Sequence, residues 1–277
     1  MELSEAIKKR RSVRNYSEEP IGQSQFSELE KYSREYTCGP FGAKVRFQLL
    51  NIQPLGREEM RRLGTYGVIK GARLFLLGAA KESEGAMEDL GYCMEKIILK
   101  ATAMGLGTCW LGGTFKRSAF AEKMNLARDE LLPVITPVGY ALDELSLSDR
   151  VFRFSAASNK RKPWSELFFS ADGISPLEKE DAEDYCEALE AVRMGPSASN
   201  RQPWRMVRDE GGRYHLYLHE NKIYNRIMGK IRLQNIDMGI AMSHFEIVAR
   251  ELQLPGNWER EEKAPVLPKM QYISSWQ

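Results

Sequence analysis

The sequence predicts an α+β chain organised around two long central helices. One amphipathic segment occurs twice, over Asp89–Met104 and over Asp237–Leu252, with the same offset of 148 residues between matching positions. Both copies repeat apolar residues at helical spacing over a broad face, which is typical of buried helices. Aspartate opens each copy and predicts a helix N-terminus, because its oxygen accepts free backbone N–H groups. Strand-like segments accompany both copies, and a chance likeness of two amphipathic helices stays open at this point.

Composition argues against several classes of function. The 277 residues are 43% apolar and 28% charged, which allows a sizeable core in one large domain or two small ones. A net charge of +2 gives no reason to expect a nucleic-acid or membrane partner. The acidic, amphipathic start of the chain is unlike a signal peptide, and no apolar run is long enough to cross a bilayer.

Cysteines and histidines are few and dispersed. The four cysteines form no Cys-x-x-Cys pair, so we expect free thiols and a reducing, cytoplasmic location. His215 and His219 lie on an alternating stretch and His244 lies on the second central helix. This spacing favours no metal site, and none is predicted.

The remaining patterns predict further helices and strands. Helices are expected at Leu3–Lys9, Gln23–Glu35, Lys116–Met124 and Leu177–Met194, with polar helices at 57–62 and 222–233. Strands are expected at Val45–Ile52, Arg73–Leu77, Val134–Tyr140 and Tyr214–Leu218.

A basic segment follows the first helix. If this segment is extended, Arg10, Ser12 and Arg14 lie on one side of it, because side chains alternate along extended backbone. Two guanidinium groups and a hydroxyl suit a phosphate, since guanidinium binds its oxygens in pairs. A solvated helix end with cations near its C-terminus explains the same residues equally well.

A glycine-rich run follows the first central helix, from Gly105 to Gly113. Gly105 suits a helix C-cap, while Gly112 and Gly113 let the backbone approach a ligand closely. The run is not a dinucleotide-binding fingerprint, because it follows a helix and Trp110 occupies the place of the third glycine.

Two polar stretches belong to the later part of the chain. A second basic cluster, from Lys160 to Lys162, follows a polar stretch that could be a linker. The loop from Gly195 to Trp204 is rich in small residues, and Asn200 and Gln202 carry paired donors and acceptors. Such a loop can lie against a flat ligand, but a capped turn before a strand is the alternative.

Several of these motifs together resemble the FMN-dependent nitroreductase family. They are Arg10-Arg11-Ser12-Val13-Arg14, Gly105-Leu106-Gly107-Thr108, Pro137-Val138-Gly139-Tyr140, Arg161-Lys162-Pro163 and Pro196-Ser197-Ala198-Ser199-Asn200-Arg201-Gln202-Pro203-Trp204. The resemblance implies a nitroreductase-like fold, with mixed and antiparallel sheets flanked by helices. In that family, subunits pair through long central helices, and each FMN lies at the dimer interface.

The chain departs from the family pattern in the order of its motifs. Gly39-Pro40-Phe41-Gly42 stands where the family has its Pro-Ser-x-x-Asn-x-Gln-Pro-Trp loop, and the second half lacks a basic Arg-Ser-x-Arg segment. The two halves therefore resemble the two subunits of a family dimer, fused and trimmed. We expect residues 1–165 to form the half with the phosphate-binding motifs and residues 166–277 the half with the loop. This internal duplication would make a monomeric intramolecular pseudo-dimer with one flavin site.

The resemblance also implies roles for individual residues. Arg10, Ser12 and Arg14 would hold the FMN phosphate and ribityl chain, with Arg11 acting mainly through its backbone. Lys160, Arg161 and Lys162 would neutralise the phosphate from a second side. The remaining expected contacts involve the flavin ring: Thr65 at the pyrimidine, Trp110, Leu111, Gly112 and Gly113 over the ring with the Gly112 N–H near N5, and Pro196, Ser197, Ala198 and Asn200 from the other half.

The implied activity is that of an FMN-dependent NAD(P)H oxidoreductase. A nicotinamide would deliver hydride to flavin N5, leave, and be replaced by a nitroaromatic, quinone or similar small conjugated acceptor, in a ping-pong reaction. The protein would position the cofactor, so no catalytic side chain is assigned. A flavin-binding protein for storage or sensing, a fold that has lost FMN, and a family dehydrogenase or dehalogenase are the alternatives.

Overall fold

The computed structural model describes residues 1–53, 55, 63–142, 160–220, 230–262 and 264–277. The helix predicted at 57–62, and most of the one predicted at 222–233, lie outside these residues. The described α-helices are α1 (Leu3–Lys9), α2 (Gln23–Glu35), α3 (Ala86–Ala103), α4 (Arg117–Lys123), α5 (Cys186–Met194) and α6 (Leu233–Glu251). The described strands are β1 (Val45–Asn51), β2 (Leu74–Lys81), β3 (Gly107–Thr108), β4 (Glu130–Gly139), β5 (Phe168–Phe169), β6 (Trp204–Arg208), β7 (Tyr214–Leu218), β8 (Trp258–Glu259) and β9 (Gln271–Trp276).

The first sheet has the strand order β1-β2-β4-β3, and all its pairs are antiparallel. Strand β2 is buried at every residue but its last. Leu74 and Leu76 belong to the core that contains the central helices, whereas Phe75 and Leu77 pack with Phe120 of α4. Because both faces of the sheet are covered, β2 is a continuous apolar run without alternation.

The second sheet has the strand order β5-β6-β7-β9-β8, in which only the β5–β6 pair is parallel. An aromatic cluster joins it to α6, with the Phe245 ring 5.5 Å from that of Trp258 and 5.4 Å from that of Trp276. The predicted α+β architecture, with largely antiparallel sheets flanked by helices, is therefore confirmed.

Helices α3 and α6 pack against each other at the centre, and glycine lets their backbones touch. A Cβ on Gly239 would lie 1.9 Å from the carbonyl oxygen of Glu88, and one on Gly91 would lie 2.2 Å from that of Ile236. The glycines and the two carbonyl residues are each separated by 148 residues. The contact is thus reciprocal, as it is at an interface with two-fold symmetry.

Two details of the prediction are wrong. Asp89 and Asp237 do not begin their helices, because α3 begins at Ala86 and α6 at Leu233. Both aspartates lie within their helices and bind neighbouring loops. The helix predicted at Leu177–Met194 is shorter and begins at Cys186. Its expected first turn is lost because the Leu177 N–H donates to the Phe168 carbonyl at the edge of the second sheet.

No helix within the described residues is both long and apolar enough to cross a membrane.

Candidate functional site

A cavity of about 280 Å³ lies between the N-terminal segment, the glycine-rich run, the loop after α5 and helix α6. Its lining contains twelve of the residues predicted for the site: Arg10, Ser12, Arg14, Trp110, Leu111, Gly112, Gly113, Arg161, Pro196, Ser197, Ala198 and Asn200. Motifs from both ends of the chain therefore meet at one place.

The basic segment after α1 contributes alternate side chains to this cavity. The Val13 N–H donates to the Thr108 carbonyl at 2.8 Å, and Ser12 bridges to Thr108, so the segment is held extended beside β3. Val13 is buried in the opposite direction, and Arg11 is exposed. This alternation directs Arg10, Ser12 and Arg14 to the cavity.

Arg10 is held beside a buried carboxylate from the first central helix. Glu95 is fully buried, with its Oε1 4.0 Å from Arg10 Nε. Within the part of the chain that the structure describes, buried Arg10 Nη1 has no hydrogen-bond partner. A buried donor without a partner costs about 1–3 kcal/mol, and more when it is charged, so this nitrogen is suited to an acceptor supplied by a ligand.

The same carboxylate links the two halves to the cavity wall. Glu95 Oε2 accepts the Trp110 Nε1–H at 2.7 Å, and Oε1 lies 2.9 Å from His244 Nε2 on α6. His244 Nδ1 lies 2.8 Å from the Ala191 carbonyl oxygen, to which it must donate. One hydrogen bond consequently joins His244 Nε2 and Glu95 Oε1. Together with the bond from Trp110, it fixes the indole in position.

The loop after α5 is braced by its own polar side chains. Ser199, Asn200 and Gln202 all have positive φ, near 50°. The Gln202 N–H donates to Ser197 Oγ at 2.9 Å, and Gln202 Oε1 accepts the Lys162 N–H at 2.8 Å. These bonds hold an irregular backbone turn against the cavity, which leaves Pro196 and Ala198 in its lining.

Arg161 joins this loop to the cationic part of the site. Its Nη1 donates to Asn200 Oδ1 at 3.1 Å and its Nη2 to the Met194 carbonyl at 3.0 Å. Burial lowers the pKa of Arg161, and the positive charges of Arg10 and Arg193 lower it further. An anion beside Arg10 and Arg161 would offset both effects.

The rest of the lining is largely apolar. Leu111 pairs with Ile135 through two backbone hydrogen bonds, which fix the strand-like wall that continues into Gly112. Leu233, Ile236 and Ile240 of α6 line the same cavity. A site with apolar walls and buried guanidinium groups suits a flat organic molecule with an anionic group.

One acidic side chain interrupts the apolar lining from α6. Asp237 Oδ1 accepts the Ala198 N–H at 2.9 Å, whereas buried Oδ2 lacks a hydrogen-bond partner in the described ranges. Burial raises the pKa of Asp237 well above its usual value, and the Ala198 N–H opposes this only in part.

Four predicted site residues lie outside the lining of this cavity. Arg11 and Lys160 are exposed, although the Lys160 carbonyl accepts an Asn200 amide hydrogen at 2.8 Å. The Lys162 side chain lies 3.8 Å from Glu166, and Thr65 Oγ1 donates to the Ile69 carbonyl at 3.4 Å. Of the second basic cluster, the lining therefore includes Arg161 alone.

The prediction missed lining residues that come mainly from α6 and from segments beside known motifs. They are Val68, Cys109, Thr114, Val134, Ser199, Leu233, Ile236, Asp237 and Ile240. The repeated Asp-x-Gly motif had already singled out Asp237, but only as the start of a helix.

A second polar cluster lies in the second sheet and resembles a hydrolytic triad in composition only. His215 lies 2.7 Å from Ser275 Oγ and 3.2 Å from Asp209 Oδ2. Ser275 and His215 are fully buried on paired strands. The hydroxyl has no access to a substrate there, so we assign the cluster a structural role.

The chain matches one family model over residues 2–249, and the description of that family is "Putative TM nitroreductase". A search of curated proteins found no match.

Three solved structures illustrate what the chain is similar to. A crystal structure described as a putative nitroreductase from Thermotoga maritima has a TM-score of 0.60 and 19% identity, over 100% of this chain and 92% of that one. A nitroreductase family protein from Clostridium novyi has a TM-score of 0.43 and 19% identity, over 52% of this chain and 87% of that one. A protein described as an FMN-dependent nitroreductase from Clostridium difficile has a TM-score of 0.41 and 20% identity, over 51% of this chain and 88% of that one.

Proposed function

The chain belongs to the family described as "Putative TM nitroreductase", and from this premise we propose that it is an FMN-dependent NAD(P)H oxidoreductase. The family assignment confirms the resemblance inferred from the motifs, and the Thermotoga maritima structure confirms a nitroreductase-like fold. The proposed acceptors are nitroaromatics, quinones or similar conjugated molecules, and the proposed order of reaction is ping-pong.

The observation that carries the proposal is the buried Arg10 Nη1, which has no hydrogen-bond partner among the described residues and lies at a cavity with largely apolar walls. The residues present fit FMN. Arg10, Ser12, Arg14 and Arg161 would hold the phosphate and ribityl chain, since guanidinium groups bind phosphate oxygens in pairs. FMN would supply the capacity to accept and donate hydride.

The neutral parts of the lining would orient the flavin ring. The segment from Trp110 to Gly113 would cover one side, and the Gly112 N–H would lie near N5. Pro196, Ser197, Ala198 and Asn200 would contact the ring from the other half. The Glu95–Trp110 hydrogen bond would hold Trp110 against the flavin ring while NAD(P)H and the acceptor bind in turn.

We further propose one FMN per chain, within an intramolecular pseudo-dimer of residues 1–165 and 166–277. The reciprocal contact of Gly91 and Gly239 supports a pseudo-two-fold axis between α3 and α6. At the position related by that axis, Asp89 accepts the N–H groups of Phe41 and Ala43, and Arg260 lies over the Phe41 ring at 4.4 Å. These contacts support a single site, because backbone N–H groups of the protein complete the Asp89 carboxylate.

The first test is the visible spectrum and flavin content of the purified protein, followed by anaerobic addition of NADH or NADPH. We expect about one FMN per chain, and bleaching of its absorbance by a nicotinamide. Bound FMN that no nicotinamide reduces would favour a storage or sensing protein. A protein that cannot be reconstituted with FMN would overturn the proposal.

The phosphate assignment is tested by Arg10→Ala combined with Arg14→Ala. The pair should weaken FMN binding by about 3–6 kcal/mol, because each hydrogen bond to a charged group contributes roughly 1.5–3 kcal/mol. Arg34→Ala is the matched control, since Arg34 is exposed on α2 and pairs only with Glu30 among the described ion pairs. Unchanged affinity in a folded double variant would contradict the assignment.

A further inference from the structure

Asp237 differs from its counterpart in the repeat in a way that points to a ligand. Asp89 lies 148 residues earlier, and its two oxygens accept the N–H groups of Phe41 and Ala43 at 2.9 and 2.8 Å. Among the described residues, Asp237 accepts the Ala198 N–H alone, through Oδ1. Its Oδ2 is buried and without a partner among the residues described, and its side chain lines the cavity.

The bare oxygen is therefore not a general requirement of this helical position. At Asp89 a second backbone N–H completes the carboxylate. Where the cavity lies, the second oxygen is left for something else. An isolated buried carboxylate loses its hydration without compensation, which is unfavourable. A neutral carboxyl avoids most of that cost and carries one O–H donor.

We propose that Asp237 is a neutral carboxylic acid whose Oδ2–H donates a hydrogen bond to an oxygen of the molecule bound in the cavity. The proposal rests on the proposed function, so this molecule is FMN. Oδ1 already accepts the Ala198 N–H, which leaves Oδ2 as the hydroxyl oxygen. The neighbours of Asp237 in the lining from α6 are Leu233, Ile236 and Ile240, which have no polar side-chain atoms.

Burial, and not the surrounding charges, favours the neutral acid at this turn of α6. Burial raises the pKa of Asp237 well above its usual value, although Arg10, Arg14 and Arg161 line the same cavity. From α3, Glu88 approaches through its contact with Gly239. Its carboxylate accepts the Asn235 amide hydrogen at 2.7 Å, and burial raises its pKa as well.

Infrared difference spectroscopy with FMN as the probe tests the assignment. The flavin-free protein at neutral pH should show the C=O stretch of a protonated carboxyl that Asp237→Asn removes and Asp89→Asn keeps. Addition of FMN should move this band to lower wavenumber, because the free hydroxyl gains an acceptor. A merely structural acid would not respond to FMN.

Binding measurements give a second readout. Asp237→Asn keeps an acceptor for Ala198 and an N–H donor for the ligand, whereas Asp237→Ala keeps neither. We expect the alanine variant to bind FMN about tenfold more weakly than the asparagine variant, as for the loss of one buried hydrogen bond.

The outcomes separate this assignment from the proposed function. A protein that binds FMN but has no such band, or whose band does not move, would refute the role of Asp237 and leave the function intact. A protein that cannot bind FMN would overturn the function and this assignment together.

Discussion

Substitution of Gly239 by alanine tests the packing at the centre of the molecule. The new Cβ would lie 1.9 Å from the Glu88 carbonyl oxygen and 2.6 Å from the Tyr92 nitrogen, both of which are backbone atoms. Ordinary contact begins near 3.4 Å, so the helices would have to separate locally by about 1.5 Å. Backbone cannot swing aside as a side chain can, and α3 and α6 are buried along most of their length.

We therefore expect the free energy of unfolding of Gly239→Ala to fall by at least about 3 kcal/mol, which is the upper end of the usual cost of overpacking. The melting temperature should fall by roughly 6–12 °C, since each kcal/mol corresponds to about 2–4 °C in chains of this order. Thermal unfolding followed by circular dichroism measures the change. Gly211→Ala is the control, because that glycine is exposed in a turn and the nearest atom to its Cβ would be an Asp209 side-chain oxygen at 3.3 Å.

The direction of the change in melting temperature tests the close approach of the helices. In a helix without such a contact, alanine stabilises by about 1 kcal/mol relative to glycine. An unchanged or higher melting temperature for Gly239→Ala would refute the close approach. Gly91→Ala should lower the stability in the same way. The double variant should lose less stability than the sum of the two single variants, because one separation of the helices relieves both contacts.

Two further predictions concern buried carboxyl groups. Glu95→Ala should lower the free energy of unfolding in urea by about 3–5 kcal/mol, because it removes one partner of a buried polar network. Glu95→Gln can still accept from Trp110 and donate to His244, so it should lower that free energy by less than half as much. Equal losses for the two variants would contradict the network. For Asp237, the raised pKa in the folded state means that folded protein binds more protons than unfolded protein once pH exceeds about 4, so its contribution to stability falls as pH rises, by up to about 1.4 kcal/mol per pH unit. Asp237→Asn should gain stability relative to wild type between about pH 5 and 7 in the same assay, and a parallel dependence for both proteins would show that the carboxyl is ionised.

Sequence patterns predicted elements that have a clear apolar period, but they did not predict the two-residue strands. The structure has α1, α2 and β7 with the predicted bounds, because each has a full local period of apolar residues. Strands β3, β5 and β8 contain two residues each, too few to have a period, and exist only through their partners. The extended Leu177 had the local pattern of a helix start, but pairing with Phe168 decided its conformation.

Local sequence patterns likewise predicted only some of the residues of the candidate site. Local alternation was enough to direct Arg10, Ser12 and Arg14 to one side, and small residues marked the loop after α5. The contribution of α6 depends on how the halves pack, so apolar periodicity could not distinguish Ile236, which lines the cavity, from residues that face the core. Likewise, the choice of Arg161 from its cluster depends on bonds to Asn200 and Met194.

A comparison of Asp89 with Asp237 explains how two similar helices can contribute to a single cavity. At Asp89 the loop from Gly39 to Gly42 approaches closely enough that a Cβ on Gly39 would lie 2.4 Å from the carboxylate, and backbone N–H groups satisfy the charge. At Asp237 the loop continues after Ala198 through residues with positive φ, and the residues that the structure describes leave one carboxylate oxygen without a partner. The closed loop lets the first carboxylate be completed by the protein alone. In our proposal a ligand is the partner of the second carboxylate, and the difference between the two loops supports one FMN per chain even though the helices repeat.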